Sequence, residues 1–168
     1  LENQGYLNDE KFVINYLYSM QAQFVGNEKI KRNLKQRGVN MDLIHHFVTD
    51  DIDEQFSKAM MFSKVTLLTF SDNLSLKMRQ HKLQNKLYQA GFNKDVVEQV
   101  LATIDFSQDM LKESDSCIKT AEKGRKIYQK KYEGSSLRNK VFNYCLQQGF
   151  NYSDVYAAID ALDWEDYD

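Results

Sequence analysis

Leu83-Gln-Asn-Lys-Leu87-Tyr-Gln-Ala-Gly91-Phe92-Asn93 decides how this chain is read, because the same phrase stands at two other places. It occurs earlier as Ile30-Lys-Arg-Asn-Leu34-Lys-Gln-Arg-Gly38-Val39-Asn40 and later as Val141-Phe-Asn-Tyr-Cys145-Leu-Gln-Gln-Gly149-Phe150-Asn151. Each copy has apolar residues eight and four places before the glycine, a glutamine two before it, and an apolar residue then an asparagine after it. Apolar residues four apart share one helix face. A glycine after them ends the helix, since only glycine takes the left-handed conformation at that point without steric cost. The glycines fall 53 and then 58 residues apart. A spacing of that length marks stacked supersecondary units, each too small to bury its own apolar face. Such arrays offer a surface more often than a catalytic cleft.

Working outward, the segments around each phrase carry the 3.6-residue apolar period of amphipathic helices. Phe12, Tyr16, Leu17, Met20 and Phe24 form one stripe, with Asn8 placed to cap its helix. Asn27 suits the cap of the next helix, and Asn40 the start of a third with Leu43, Ile44, Phe47 and Val48. The plan repeats from about Asp53 through Leu101, with Asp51 or Asp53 as a cap and Ser71-Asp72-Asn73 as a turn. It repeats again in a long helix from about Gln108 through Lys131, a break and cap at Gly134-Ser135-Ser136, and a last helix that Ser153 can cap. The expectation is an all-α tandem array of nine helices in three-helix repeats, at residues 1–51, 52–106 and 107–168. The absence of proline in 168 residues agrees with helix throughout.

Composition narrows the class further. A chain of this size buries roughly 70% of its unfolded surface and needs no disulfide or metal to fold. Cys117 and Cys145 are too few for a disulfide framework or zinc ribbon and read as small reduced hydrophobes. No stretch approaches the roughly 20 apolar residues of a membrane span, and no leader sequence is visible. These features lead us to expect a cytoplasmic monomer. The chain opens at Leu1 rather than methionine, and we read it as a piece of a longer protein.

The net charge of −2 hides strong segregation. Lys31, Arg32, Lys35 and Arg37 crowd the helix before Gly38, with Lys31 and Lys35 one turn apart. Lys119, Lys123, Lys126 and Lys130 follow i, i+4, i+7, i+11 spacing and make one stripe, flanked by Arg125, Lys131, Arg138 and Lys140. Lys77, Arg79, Lys82 and Lys86 form a weaker patch. The end is acidic, with Asp160, Asp163, Glu165, Asp166 and Asp168. Charge runs usually belong to solvated faces, but the dense stripe has little acid to offset it and suits phosphates or an acidic protein surface. Tyr128 and Tyr132 lie beside it; they suit packing against a neighbouring unit better than base stacking. Tyr152, Tyr156, Trp164 and Tyr167 give an aromatic end that suits either a partner or the basic helices.

Chemistry-bearing motifs are missing. His45 and His46 are neighbours on a helix and point about 100° apart, unlike the i, i+4 pair of a metal site. His81 has no partner for general-base work, and Asp50, Asp51, Asp53 and Glu54 lack calcium-loop spacing. There is no phosphate loop or nucleophile elbow. The reading is a protein without enzymatic activity, cofactor or metal.

The residues resemble the RecX family of bacterial regulatory proteins. The resemblance lies in Leu1-Glu-Asn-Gln-Gly5-Tyr6-Leu7-Asn8-Asp9-Glu10-Lys11-Phe12, in Gly26 through Ile30-Lys31-Arg32-Asn33-Leu34-Lys35-Gln36-Arg37-Gly38-Val39, and in Lys140 through Phe150 after the basic helix. Ala90 and Gln148 depart from the family's pattern, in which a basic residue precedes the glycine. The resemblance implies a curved, elongated row of three-helix units, with residues 1–6 as the tail of a preceding repeat. It implies binding to the RecA nucleoprotein filament and restraint of its growth and activity in recombination and the damage response. On that footing the basic residues would meet RecA, or DNA phosphates directly. Read without the resemblance, the same helices also suit a direct DNA-binding module or a helical scaffold for another protein.

Overall fold

A computed structural model describes the backbone of residues 2–164 and the side chains from Asn8 onward. Leu1, Glu165, Asp166, Tyr167 and Asp168 lie outside the described residues, and with them most of the acidic end. The described chain is all-helical, with no strand among its residues. In order it forms α1 (Glu2–Gln21), α2 (Asn27–Gln36), α3 (Met41–Phe47), α4 (Ile52–Leu67), α5 (Leu76–Ala90), α6 (Lys94–Thr103), α7 (Ser107–Leu111), α8 (Glu113–Tyr128), α9 (Gly134–Gln147) and α10 (Tyr152–Ala161).

The repeated phrase is a stop followed directly by a start. Gly38, Gly91 and Gly149 adopt φ of 82°, 92° and 90° at the ends of α2, α5 and α9. Each stop is closed by two hydrogen bonds that satisfy carbonyls otherwise left free at a helix end. At the first, Gly38 N donates to Lys35 O (3.0 Å) and Val39 N to Leu34 O (3.2 Å); the other two copies repeat the pattern. The apolar residue after each glycine is buried, as are those four and eight places before it. The asparagine then caps the next helix: Asn40 Oδ1 accepts from Asp42 N, Asn93 Oδ1 from Val96 N and Asn151 Oδ1 from Asp154 N, all within 2.9 Å.

The helices gather into two compact units whose boundary falls inside α5. The first holds residues 1–68 and 83–104. Its core is built from Val13, Ile30, Leu34, Leu43, Ile44 and Val48, together with Leu83, Leu87, Val96, Val97 and Val100. Phe62 of α4 meets Phe92 at 6.0 Å between ring centroids. The second holds residues 69–82 and 105–168, where α8 packs on α9 and α10 around Cys117, Ala121, Leu137, Val141, Cys145, Phe150 and Val155.

Several expected boundaries move. Asn8 lies inside α1 with an exposed side chain, so it caps nothing. Asn27 is the first residue of α2 after the boundary residue Gly26. It is buried, and its amide nitrogen donates to Thr49 O (2.7 Å) and Asp50 Oδ1 (3.3 Å) while its own N–H donates to Gln55 Oε1 (2.9 Å). Asparagine serves there as a strut between α2 and α4. Asp51 caps α4 as expected. The helix expected from Gln108 through Lys131 is instead α7 and α8, parted at Lys112; Asp109 of α7 pairs with Arg79 (3.1 Å), and Glu113 opens α8 by accepting Leu76 N (2.8 Å). That adds a tenth helix to the nine expected. Gly134 opens α9 with no side-chain cap, and Asn151, not Ser153, caps α10.

Cys117 and Cys145 are both fully buried in the second core. The Cys117 thiol donates to Cys145 and is shut off from water, and both effects push its pKa upward. The same bond lowers the pKa of Cys145, but both sulfurs are closed off from solvent, so neither residue is expected to react with a soluble disulfide reagent at pH 8 while the protein is folded. Both should react at once in guanidinium. Prompt labelling of two thiols in native protein would contradict this packing.

Candidate functional site

The basic residues fall into two groups once their contacts are known. Lys31 Nζ donates to Asp50 Oδ2 at 2.6 Å, and this bond holds the Asp50 carboxyl below the usual carboxylate range. The pair closes α2 onto the link between α3 and α4 and leaves Lys31 only 19% exposed. The guanidinium of Arg37 lies over the rings of Phe12 (5.7 Å) and Tyr16 (5.3 Å). Arg125 donates through Nη1 to Asp163 O, and its Nε is buried with no partner among the described residues. Arg138 covers Trp164 at 5.2 Å and Lys140 covers Tyr132 at 5.1 Å. Arg79 pairs with Asp109 and also donates to Ser71 O. These cations make contacts within the fold, although Arg37, Arg138 and Lys140 are also exposed.

Other cations of the basic runs are exposed, with no such contact among the described residues. Lys119, Lys123 and Lys126 line the exposed face of α8, opposite the buried Cys117, Ala121 and Gly124. Among the described residues no carboxylate pairs with any of them. Lys130 and Lys131 are exposed in the turn after α8, so the expected four-lysine stripe is three residues on a helix and one, Lys130, beyond it. Arg32 and Lys35 are exposed on α2, and Lys82 and Lys86 lie one turn apart on α5, with Lys77 exposed near its start.

The aromatic residues divide as well. Trp164 Nε1 donates to Ile159 O (2.9 Å), and the ring packs back on the second core. Tyr152 and Tyr156 are about 60% exposed and meet Phe142 at 5.5 and 4.9 Å. Tyr128 meets Tyr132 at 6.3 Å and Tyr144 at 6.0 Å, so its packing is within its own unit. Tyr144 reaches α8 because residue 124 is glycine; a Cβ there would stand 2.8 Å from Tyr144 Cδ1. Tyr128, Lys140, Asn143, Tyr144, Leu146 and Gln147 then surround an open cleft of about 460 Å³.

Among the described residues no three His, Cys, Asp or Glu side chains converge on a metal-sized position, and His45 and His46 are exposed neighbours on α3. No helix among them is long and apolar enough to cross a membrane.

The Regulatory protein RecX of Streptococcus uberis is 27% identical over 164 residues, which cover 96% of this chain and 62% of the relative. That of Lactococcus lactis subsp. lactis is 25% identical over 162 residues, covering 95% and 60%. That of Staphylococcus haemolyticus is 26% identical over 158 residues, covering 94% and 59%. Over nearly its whole length the chain is similar to RecX proteins. It spans about 60% of the length of the curated relatives it matches. No family model matches it, and no solved structure does either.

Similarity to RecX proteins therefore runs through both units. What the sequence did not reveal is which cations are engaged within the fold. Lys31 and Lys126 look alike as members of basic runs, yet one is closed by a carboxylate 19 residues away and the other faces water. The cleft was also unread, because its floor depends on Gly124 meeting a tyrosine from α9.

Proposed function

We propose that this chain regulates the RecA recombinase by binding the RecA–DNA filament and restraining its growth and activity in recombination and the damage response. The observation that carries the reading is the row Lys119, Lys123 and Lys126 on the solvent face of α8, which pairs with no described carboxylate, in a chain similar to RecX proteins. Lys130, Lys131, Arg32 and Lys35 extend the positive surface that would meet filament protein or DNA phosphates. Surface charge of this kind steers encounter and sets orientation more than it adds raw affinity. A regulator of an assembly acts by preferring one assembly state; no bond of a substrate need be broken. In this reading the three copies of the glycine phrase belong to three stacked repeats at residues 1–51, 52–106 and 107–168, and the chain works in the cytoplasm as a monomer.

The test is RecA's DNA-dependent ATP hydrolysis on preformed filaments, with the chain added well below the RecA concentration. Inhibition at that ratio is the expected result. No effect from this chain or from a full-length relative would overturn the assignment.

A further inference from the structure

The cleft beside Tyr128 has a chemistry that the basic face of α8 lacks. We propose that it takes up one nucleobase, with its adjoining phosphate, from a single-stranded nucleic acid. The proposal deepens the reading above, since it rests on this surface meeting the nucleic acid of a filament.

Four features point to that ligand. Tyr128 and Tyr144 stand at 6.0 Å with their planes inclined by 71°, so they form a corner of two aromatic rings and leave no closed stack. Both are only partly buried. Every base has a π-face that such rings can bind regardless of sequence. Asn143 and Gln147 stand one turn apart on α9 at the same opening, exposed, with side-chain amides that bond to no described group. A side-chain amide carries a donor and an acceptor side by side and matches the edge of a base. Lys140, exposed on the turn before Asn143, puts an ammonium at the rim, where a phosphate would sit. Finally, a volume of about 460 Å³ lies inside the roughly 300–1,000 Å³ range of small-ligand sites, and the opening is wide enough for a base still attached to its strand.

Two contacts set the position of these groups. Gly124 lets the Tyr144 ring lie against α8, and Lys140 is held over Tyr132 at 5.1 Å. Ring and ammonium are thereby placed before any ligand arrives, which reduces the ordering cost of binding.

Fluorescence anisotropy with the whole chain separates base capture from charge attraction. The probes are a labelled 12-nucleotide single strand and a strand of equal length and charge whose central residues are abasic. Stacking contributes roughly 1–3 kcal/mol per base, so the base-bearing strand should bind about 5- to 150-fold more tightly. Asn143→Ala with Gln147→Ala, both at exposed positions and with the fold checked by helical circular dichroism, should bring that ratio down several-fold and leave abasic binding unchanged. A free mononucleotide should compete only at far higher concentration than the strand. Equal binding of the two strands would overturn the proposal, as would a double variant that weakens both alike, or a mononucleotide that binds as tightly as the strand. The same double variant added to RecA filaments keeps the two readings apart. Retained inhibition with lost base dependence counts for the cleft and leaves the filament assignment standing. Base dependence without any inhibition by wild-type chain counts against the filament assignment alone.

Discussion

Replacing Lys119, Lys123 and Lys126 by glutamate is expected to weaken binding to RecA–DNA filaments on the order of 100-fold at low salt, with little change in stability. The three ammonium groups face solvent and pair with no described carboxylate, so nothing inside the protein loses a partner when they change. Exposed surface substitutions of this kind usually stay within about 0.5 kcal/mol each. Each phosphate-contacting lysine contributes about one unit to the slope of log affinity against log salt. Replacing the same three lysines by glutamine, which removes the charge without reversing it, should therefore flatten that slope by about three. The control lies in the other class of cation. Arg125→Ala and Arg138→Ala should lower the melting temperature, because Arg125 holds the backbone at Asp163 and Arg138 covers Trp164. They should barely move the salt slope. If the lysine variants bind like wild type while the arginine variants do not, the assignment of α8 as the contact face fails.

That contrast marks where the sequence is sufficient. The glycine phrase announces helix end, buried neighbour and new helix start within four residues, and all of those interactions are local. The stops at Gly38, Gly91 and Gly149 and the caps at Asn40, Asn93 and Asn151 accordingly form as the pattern implies. Asn8 and Asn27 have the same residue type and the same local setting before an apolar period, yet neither caps. Asn8 lies inside α1, which begins at Glu2, and the role of Asn27 is fixed by contacts far away in the chain, with Thr49, Asp50 and Gln55. The break at Lys112 has the same origin, since Glu113 and Asp109 turn toward Leu76 and Arg79. Basic spacing likewise identifies a face of α8 but not the ion pair that closes Lys31. Periodicity encodes which side of a helix is wet; it does not encode which wet side chain has found a partner.

The glycines of the first unit allow the two meanings of a glycine to be separated by measurement. Gly26 has an ordinary extended backbone with φ of −76°, so alanine there costs nothing in conformation. Its Cβ, however, would stand 2.2 Å from Gly91 O and 2.4 Å from Phe92 N. Gly38 is the reverse case, with φ of 82° and nothing within 4 Å of an added Cβ. Gly91 combines both, since φ is 92° and a Cβ would fall 2.3 Å from Lys29 Cβ and 2.5 Å from Lys29 N. The close approach exists because the start of α2 is seated on the end of α5. Gly26 N donates to Ala90 O (2.9 Å) and Glu28 N to Gly91 O (3.0 Å). Donors left free at one helix start thus meet carbonyls left free at another helix end, with the helix dipoles aligned favourably. Gly38→Ala should cost only the left-handed strain, about 1–2 kcal/mol. Gly26→Ala and Gly91→Ala should each cost more than about 4 kcal/mol, the range reserved for overpacking and broken networks, against a total stability of roughly 5–15 kcal/mol. Because both substitutions break the same contact, the double variant should be little worse than either alone. Urea denaturation of the four proteins gives the answer. Similar losses for Gly38→Ala and Gly91→Ala would mean that the seat of α2 on α5 does not hold this unit together.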